Sequence, residues 1–222
     1  MKLNMNALKD HHAWLDAGFT LPRFDVEKIA ENTKAAPAWL HLGAGNIFRA
    51  FPAADLQQLL DEGICDKGII VAECFDGEII DKAYRPFDSL SVLCVLKSDG
   101  TVEKKVIASV CEALRCDGKN ETDDLRLQEV LSAPSLQMVS LTITEKGYAV
   151  KNAKGDIFPF IQADIDNGPG KAASTMGKLT AGLYRRFKAG KLPISLVSMD
   201  NCSGNGDKLK AAVLCIAMGW AQ

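Results

Sequence analysis

The stretch that most constrains this chain is His41-Leu42-Gly43-Ala44-Gly45-Asn46-Ile47-Phe48-Arg49-Ala50, where a single alanine separates two glycines. An apolar run, Pro37-Ala38-Trp39-Leu40, precedes it and reads as a short buried strand. Phe51 to Leu60 follows with helical periodicity, and Pro52 falls in the first turn, where its missing N–H costs little. Strand, glycine turn and helix in that order form a place where bare backbone N–H groups can meet a pyrophosphate at the positive helix end. Two glycines also occur in ordinary turns, so the rest of the chain has to decide.

Gly68-Ile69-Ile70-Val71-Ala72-Glu73 reads as a second buried strand, nearly all apolar as parallel strands are, and it ends on a carboxylate. An acid at that place can accept hydrogen bonds from the adenosine ribose hydroxyls. Glu73 and Asp76 both qualify, while Glu78 reads as a helix cap. Leu90–Leu96, a turn at Lys97–Gly100 and Thr101–Val110 form a hairpin signal, expected as an antiparallel decoration on one edge. Thr122 is expected to cap a helix through Leu131. A third strand, Gln137–Ile143, runs into Thr144-Glu145-Lys146-Gly147-Tyr148. Residues 149–170 read as loop, and Lys171–Ala189 as an amphipathic helix. A fourth strand, Pro193–Met199, runs into Asp200-Asn201-Cys202-Ser203-Gly204-Asn205-Gly206, and a last helix from Asp207 is apolar almost all round, as if it packed against a further part. The alternation predicts an α/β, doubly wound, mainly parallel sheet. Residues 1–36 form an N-terminal arm and 37–222 the nucleotide-binding domain. Polar loops leave the carboxyl ends of three strands, the edge where open α/β sheets bind ligands.

Bulk properties exclude other classes. With 47% hydrophobic and 24% charged residues the chain is globular, and a net charge of −2 offers no basic face for nucleic acid or a membrane surface. No apolar run is long enough for a bilayer span, and no signal peptide is legible, so a cytoplasmic location is expected. The 7 cysteines are scattered without a CxxC pair and are expected reduced in the core. The 3 histidines, His11, His12 and His41, give no zinc pattern, so no metal is expected.

Three segments together resemble the mannitol dehydrogenase family of long-chain polyol dehydrogenases. They are Gly43–Ala50, Val139–Tyr148 and Ser198–Gly206, and the opening Met1-Lys2-Leu3-Asn4 also fits. Phe75–Lys82 and Tyr84–Asp88 are similar to its hexuronate branch, the fructuronate reductases or D-mannonate oxidoreductases. The resemblance implies a Rossmann domain that binds NAD and acts on a small open-chain sugar acid or polyol. It also implies a helical C-terminal domain, absent from these residues, that covers the site and supplies the proton-transferring base. Asn201 matches the family asparagine that holds the reacting oxygen, giving it a catalytic and substrate-binding role that an amide donor can perform. The cofactor-binding set is Gly43, Ala44, Gly45, Asn46, Ile47, Phe48, Arg49, Glu73, Asp76, Thr142 and Thr144. Lys146 stands on the substrate side, although a solvated lysine is a poor base near neutrality. Phe48 and Phe51 replace histidines common in the family, so histidine functions do not carry over.

The reaction implied is hydride transfer with D-mannonate and D-fructuronate as the pair, with mannitol or another polyol as the alternative. The 222 residues alone are expected to bind NAD weakly and to turn over poorly or not at all. A methyltransferase shares the glycine turn and the acid but lacks the two other motifs; a nucleotide-binding module without catalysis is the non-enzymatic alternative.

Overall fold

The structure, a computed structural model, describes residues 2–221; Met1 of the opening tetrad and Gln222 lie outside them. Helices α1 (Met5–Leu8) and α2 (His11–Asp16), strand β1 (Phe19–Thr20) and helix α3 (Val26–Ala35) lead to β2 (Trp39–Leu42). The glycine turn enters α4 (Asn46–Ala50) and α5 (Pro52–Asp61), followed by β3 (Ile69–Glu73) and α6 (Glu78–Ala83). Strands β4 (Ser91–Leu96), β5 (Val102–Ile107) and β6 (Val110–Arg115) come next, then α7 (Glu121–Ser132), β7 (Met138–Leu141) and α8 (Thr144–Gly147). The remainder is α9 (Pro159–Asn167), α10 (Thr175–Lys188), β8 (Ser195–Ser198) and α11 (Asn205–Trp220).

The main sheet has 5 strands in the order β6-β3-β2-β7-β8, every neighbouring pair parallel. Numbered among themselves these strands run 3-2-1-4-5, the order of a Rossmann fold, in which β2 sits at the point where the winding reverses. Helices cover both faces. Leu40, Leu42, Ile70, Val139 and Leu141 pack with α7, α9, α10 and α11 on one side; Ile69 and Val71 pack with α3, α5 and α6 on the other. Burying each such aliphatic side chain contributes about 1.5–3 kcal/mol.

The hairpin is β4 and β5, antiparallel, joined in a 3-stranded sheet by β1 of the arm. It ends earlier than the alternation predicts. Residues from Val110 form β6, an edge strand of the main sheet that the sequence does not separate, because neither glycine nor proline stands between Ile107 and Val110. Pairing with β3 takes over at Ser109, whose carbonyl receives the Ile69 N–H at 2.8 Å. Residues 149–170 are not all loop: α9 starts on Pro159 and stops at Gly168, whose φ is +73°. The cap of α7 is Asn120, which accepts the Asp123 N–H at 3.2 Å, in place of Thr122. The cysteines are free, but only Cys116 is buried. No helix of the described residues is long and apolar enough to cross a membrane.

Candidate functional site

Parallel register brings the motifs together. Leu42 pairs with Ala72 on one side and Leu141 on the other, and Leu141 pairs with Ser198. The loops after β3, β2, β7 and β8 therefore leave the sheet side by side, and three strand spacings, about 14 Å, separate the first from the last. Along that line lie Glu73, then Gly43–Gly45, then Thr142–Thr144, then Asp200 and Asn201.

The glycine turn is held from both sides. Gly43 has φ +109°, its N–H reaches the Ala72 carbonyl at 2.9 Å, and a Cβ there would lie 2.3 Å from the Thr142 carbonyl oxygen. Only glycine lets these two loops touch. Around a Cβ built on Gly45 there is nothing within 4 Å, so the turn leaves open space above the chain where the backbone can meet a ligand closely. Ala44 is less available than expected. Its N–H is given to Glu73 Oε2 at 2.9 Å, and its carbonyl accepts the buried Tyr84 hydroxyl at 2.8 Å. Glu73 Oε1 accepts the N–H groups of Phe75 and Asp76 at 3.0 and 3.3 Å. A carboxylate offers about four acceptor positions, so Glu73 ties down its own loop and the glycine turn and still keeps room for one hydroxyl. Asp76 is exposed beside it.

The first turn of the helix differs from expectation. A break at Phe51-Pro52 separates the short α4 from α5, so the dipole behind the glycine turn is that of a brief helix. The Phe48 ring is withdrawn from the ligand side, fully buried and stacked on the His41 imidazole, centroids 4.2 Å apart, so only its backbone N–H in the first turn of α4 faces the turn. Ile47 and Asn46 are exposed. The Arg49 guanidinium donates to Asn46 Oδ1 and lies 5.6 Å from the Tyr84 ring centre, while its Nε is buried with no partner among the described residues.

His41, missed as a site residue, is the hidden support of the turn. Its Nδ1 is 2.6 Å from Ser140 Oγ and its Nε2 is 2.8 Å from Thr142 Oγ1, while Trp39 Nε1 donates to the same Ser140 at 2.7 Å. Ser140 therefore donates to Nδ1 and Nε2–H donates to Thr142, the arrangement that uses each proton once. Burial lowers the His41 pKa to about 3, so the ring is neutral. The signal for it lies in register: His41 and Ser140 are paired polar residues on two otherwise apolar neighbouring strands.

At the other end, the Asp200 carboxylate turns away from its own loop. It reaches across to the N–H groups of Ile143 and Thr144. Asn201 and Lys146 are both exposed on these loops, and Glu145 pairs with Lys208 of α11 at 2.5 Å.

Residues 37–219 match the model of the mannitol dehydrogenase Rossmann domain. The chain belongs to the mannitol dehydrogenase family. Within this family, a D-mannonate oxidoreductase of Thermotoga maritima is 50% identical over 222 residues, covering 100% of this chain and 41% of that protein. The chain thus spans about two fifths of the length of the curated relatives it matches. A solved mannitol 2-dehydrogenase of Pseudomonas fluorescens, in ternary complex with NAD and D-mannitol, superposes with a TM-score of 0.79 at 25% identity, covering 99% of this chain and 43% of that one. A D-sorbitol dehydrogenase in substrate-free form gives 0.83 at 25%, with 99% and 43% covered.

Proposed function

We propose that this chain is the nucleotide half of an NAD-dependent oxidoreductase. The reaction moves a hydride between nicotinamide and a secondary alcohol or ketone of an open-chain sugar acid, with D-mannonate and D-fructuronate as the pair. The observation that carries the reading is the turn itself: Gly43 pressed against Thr142, Gly45 open to a ligand, and Glu73 tied to both its own loop and Ala44. Bound there, NAD would supply or accept the hydride.

The chain's residues orient it. Bare N–H groups at Gly45 and the start of α4 receive the pyrophosphate, assisted by Arg49. Glu73 and Asp76 receive the ribose hydroxyls, which leaves the nicotinamide end toward Thr142 and Thr144. Asn201 donates its amide to the reacting oxygen and Lys146 holds a substrate oxygen or carboxylate; neither moves the proton. The proton-transferring base then belongs to the part of the relatives' length that these residues do not cover, so the 222 residues by themselves bind NADH without turnover. A cytoplasmic location fits such an enzyme.

Identity to the mannonate relative favours the hexuronate over mannitol. The full-length protein is assayed with NADH and either fructuronate or fructose. Faster NADH oxidation with fructuronate is expected; a preference for fructose moves the substrate to mannitol. Absence of NADH binding by calorimetry leaves the whole reading without support.

A further inference from the structure

A strained residue stands at the far end of the groove. Thr144 has φ +64°, a left-handed conformation that a β-branched residue takes only where its surroundings impose it. The surroundings come from another strand. Asp200, just past β8, accepts the Ile143 N–H on Oδ2 at 2.9 Å and the Thr144 N–H on Oδ1 at 3.0 Å. Oδ2 also accepts the Tyr148 hydroxyl at 2.5 Å, and that hydroxyl is 2.8 Å from Ser198 Oγ. Tyr148 is buried, and burial together with the Asp200 carboxylate raises its pKa, so it stays a donor at neutral pH. On the opposite side the Asn205 amide donates to the carbonyls of Ser198 and Asp200 at 3.3 and 2.9 Å, fixing the backbone that carries Asp200. A carboxylate alone can serve three donors here. An asparagine would keep one acceptor and turn an NH2 group toward an N–H or a phenol.

We propose that Asp200 is a positioning residue. Through the Ile143 and Thr144 amides and the Tyr148 hydroxyl it holds the loop after β7 in the one backbone conformation that places Thr144 and Lys146 next to Asn201, and so sets the seat of the nicotinamide riboside half of the dinucleotide. This rests on the NAD reading given above. The latch lies at the end of the sheet away from Glu73, so it governs one half of the ligand and leaves the adenosine half alone.

The test compares the full-length protein and its Asp200→Asn variant in calorimetric titrations with NADH and with ADP-ribose, which lacks nicotinamide. The variant is expected to lose about tenfold in NADH affinity, the scale of the backbone strain released, and to hold ADP-ribose as the parent does. Unchanged NADH affinity or an equal loss for both ligands overturns the proposal. Where Asp200→Asn does not fold, Tyr148→Phe carries the same comparison, and the absence of an NADH-selective loss is the overturning result. A parent protein that binds neither ligand overturns the NAD reading, and the latch with it.

Discussion

Gly43 and Gly45 stand two residues apart in one turn yet answer to different constraints. A Cβ on Gly43 would meet the Thr142 carbonyl at 2.3 Å with the backbone at φ +109°, so Gly43→Ala is expected to destabilise the fold by about 2–4 kcal/mol. Gly45 faces open space, and Gly45→Ala should melt like the parent while losing roughly tenfold in NADH affinity, because its methyl occupies the ligand's approach. Thermal melts and calorimetry on both variants separate the two roles; matching behaviour would rule the distinction out. His41 makes the site sensitive to acid in a predictable direction. Its folded pKa is about 3 against an ordinary 6.5. The unfolded chain therefore binds the proton first as pH falls, so this contribution is intact above pH 6.5 and is lost progressively from there toward pH 3. Urea unfolding at pH 7 and pH 5 should differ by about 2 kcal/mol in the parent, at about 1.4 kcal/mol per pH unit. His41→Gln should show a clearly smaller difference, and an equal drop in both proteins would refute the assignment.

Among the elements, α7 and α10 are joined by a buried cation rather than by apolar contact alone. Arg186 of α10 is 1% exposed and donates to the carbonyls of Leu131, Ala133, Leu136 and Pro193 at 3.2, 2.6, 3.1 and 2.9 Å. These carbonyls end α7 and begin the approaches to β7 and β8, so one side chain fastens a helix terminus and two strands at the amino edge of the sheet. Lysine lacks the planar fork. Arg186→Lys should cost about 2–4 kcal/mol by leaving buried acceptors unpaired. The edge concerned is opposite the glycine turn, so NADH affinity of the folded variant should be unchanged; stability equal to the parent's would contradict this role. The register of β6 and the start of α9 also belong to this scale. Both depend on which strand or loop offers partners, and alternation along the chain does not record that.

For the whole molecule, charge at the Glu73 end of the row of loops is what the proposed function ties to cofactor preference. Glu73 keeps one free acceptor position and Asp76 is exposed beside it, so a ribose 2′-phosphate would bring like charges together. NADPH is expected to bind at least about tenfold more weakly than NADH. Comparable affinities would remove Glu73 and Asp76 from the ribose end. Around the middle of the groove Ile47, Phe51 and Met199 expose apolar surface beside Thr142, lining an open depression of about 440 Å³.

Near-unbroken apolar runs such as Ile69–Ala72, separated by helical periodicity, allow little besides a parallel sheet with two covered faces, because strands of that composition must be buried on both sides. The motif loops after β2, β7 and β8 are therefore legible as one edge from the sequence alone. Three-dimensional contact decided which groups there are free. Ala44 and Phe48 read as ligand contacts because they sit in the motif, but the first spends its N–H on Glu73 and the second stacks on His41. Asp200, just past β8, spends its carboxylate on Thr144, just past the neighbouring β7. Linear order records which residue types are near a turn; hydrogen bonds are spent between residues far apart in sequence, and only the packed sheet shows which donors and acceptors remain for a ligand.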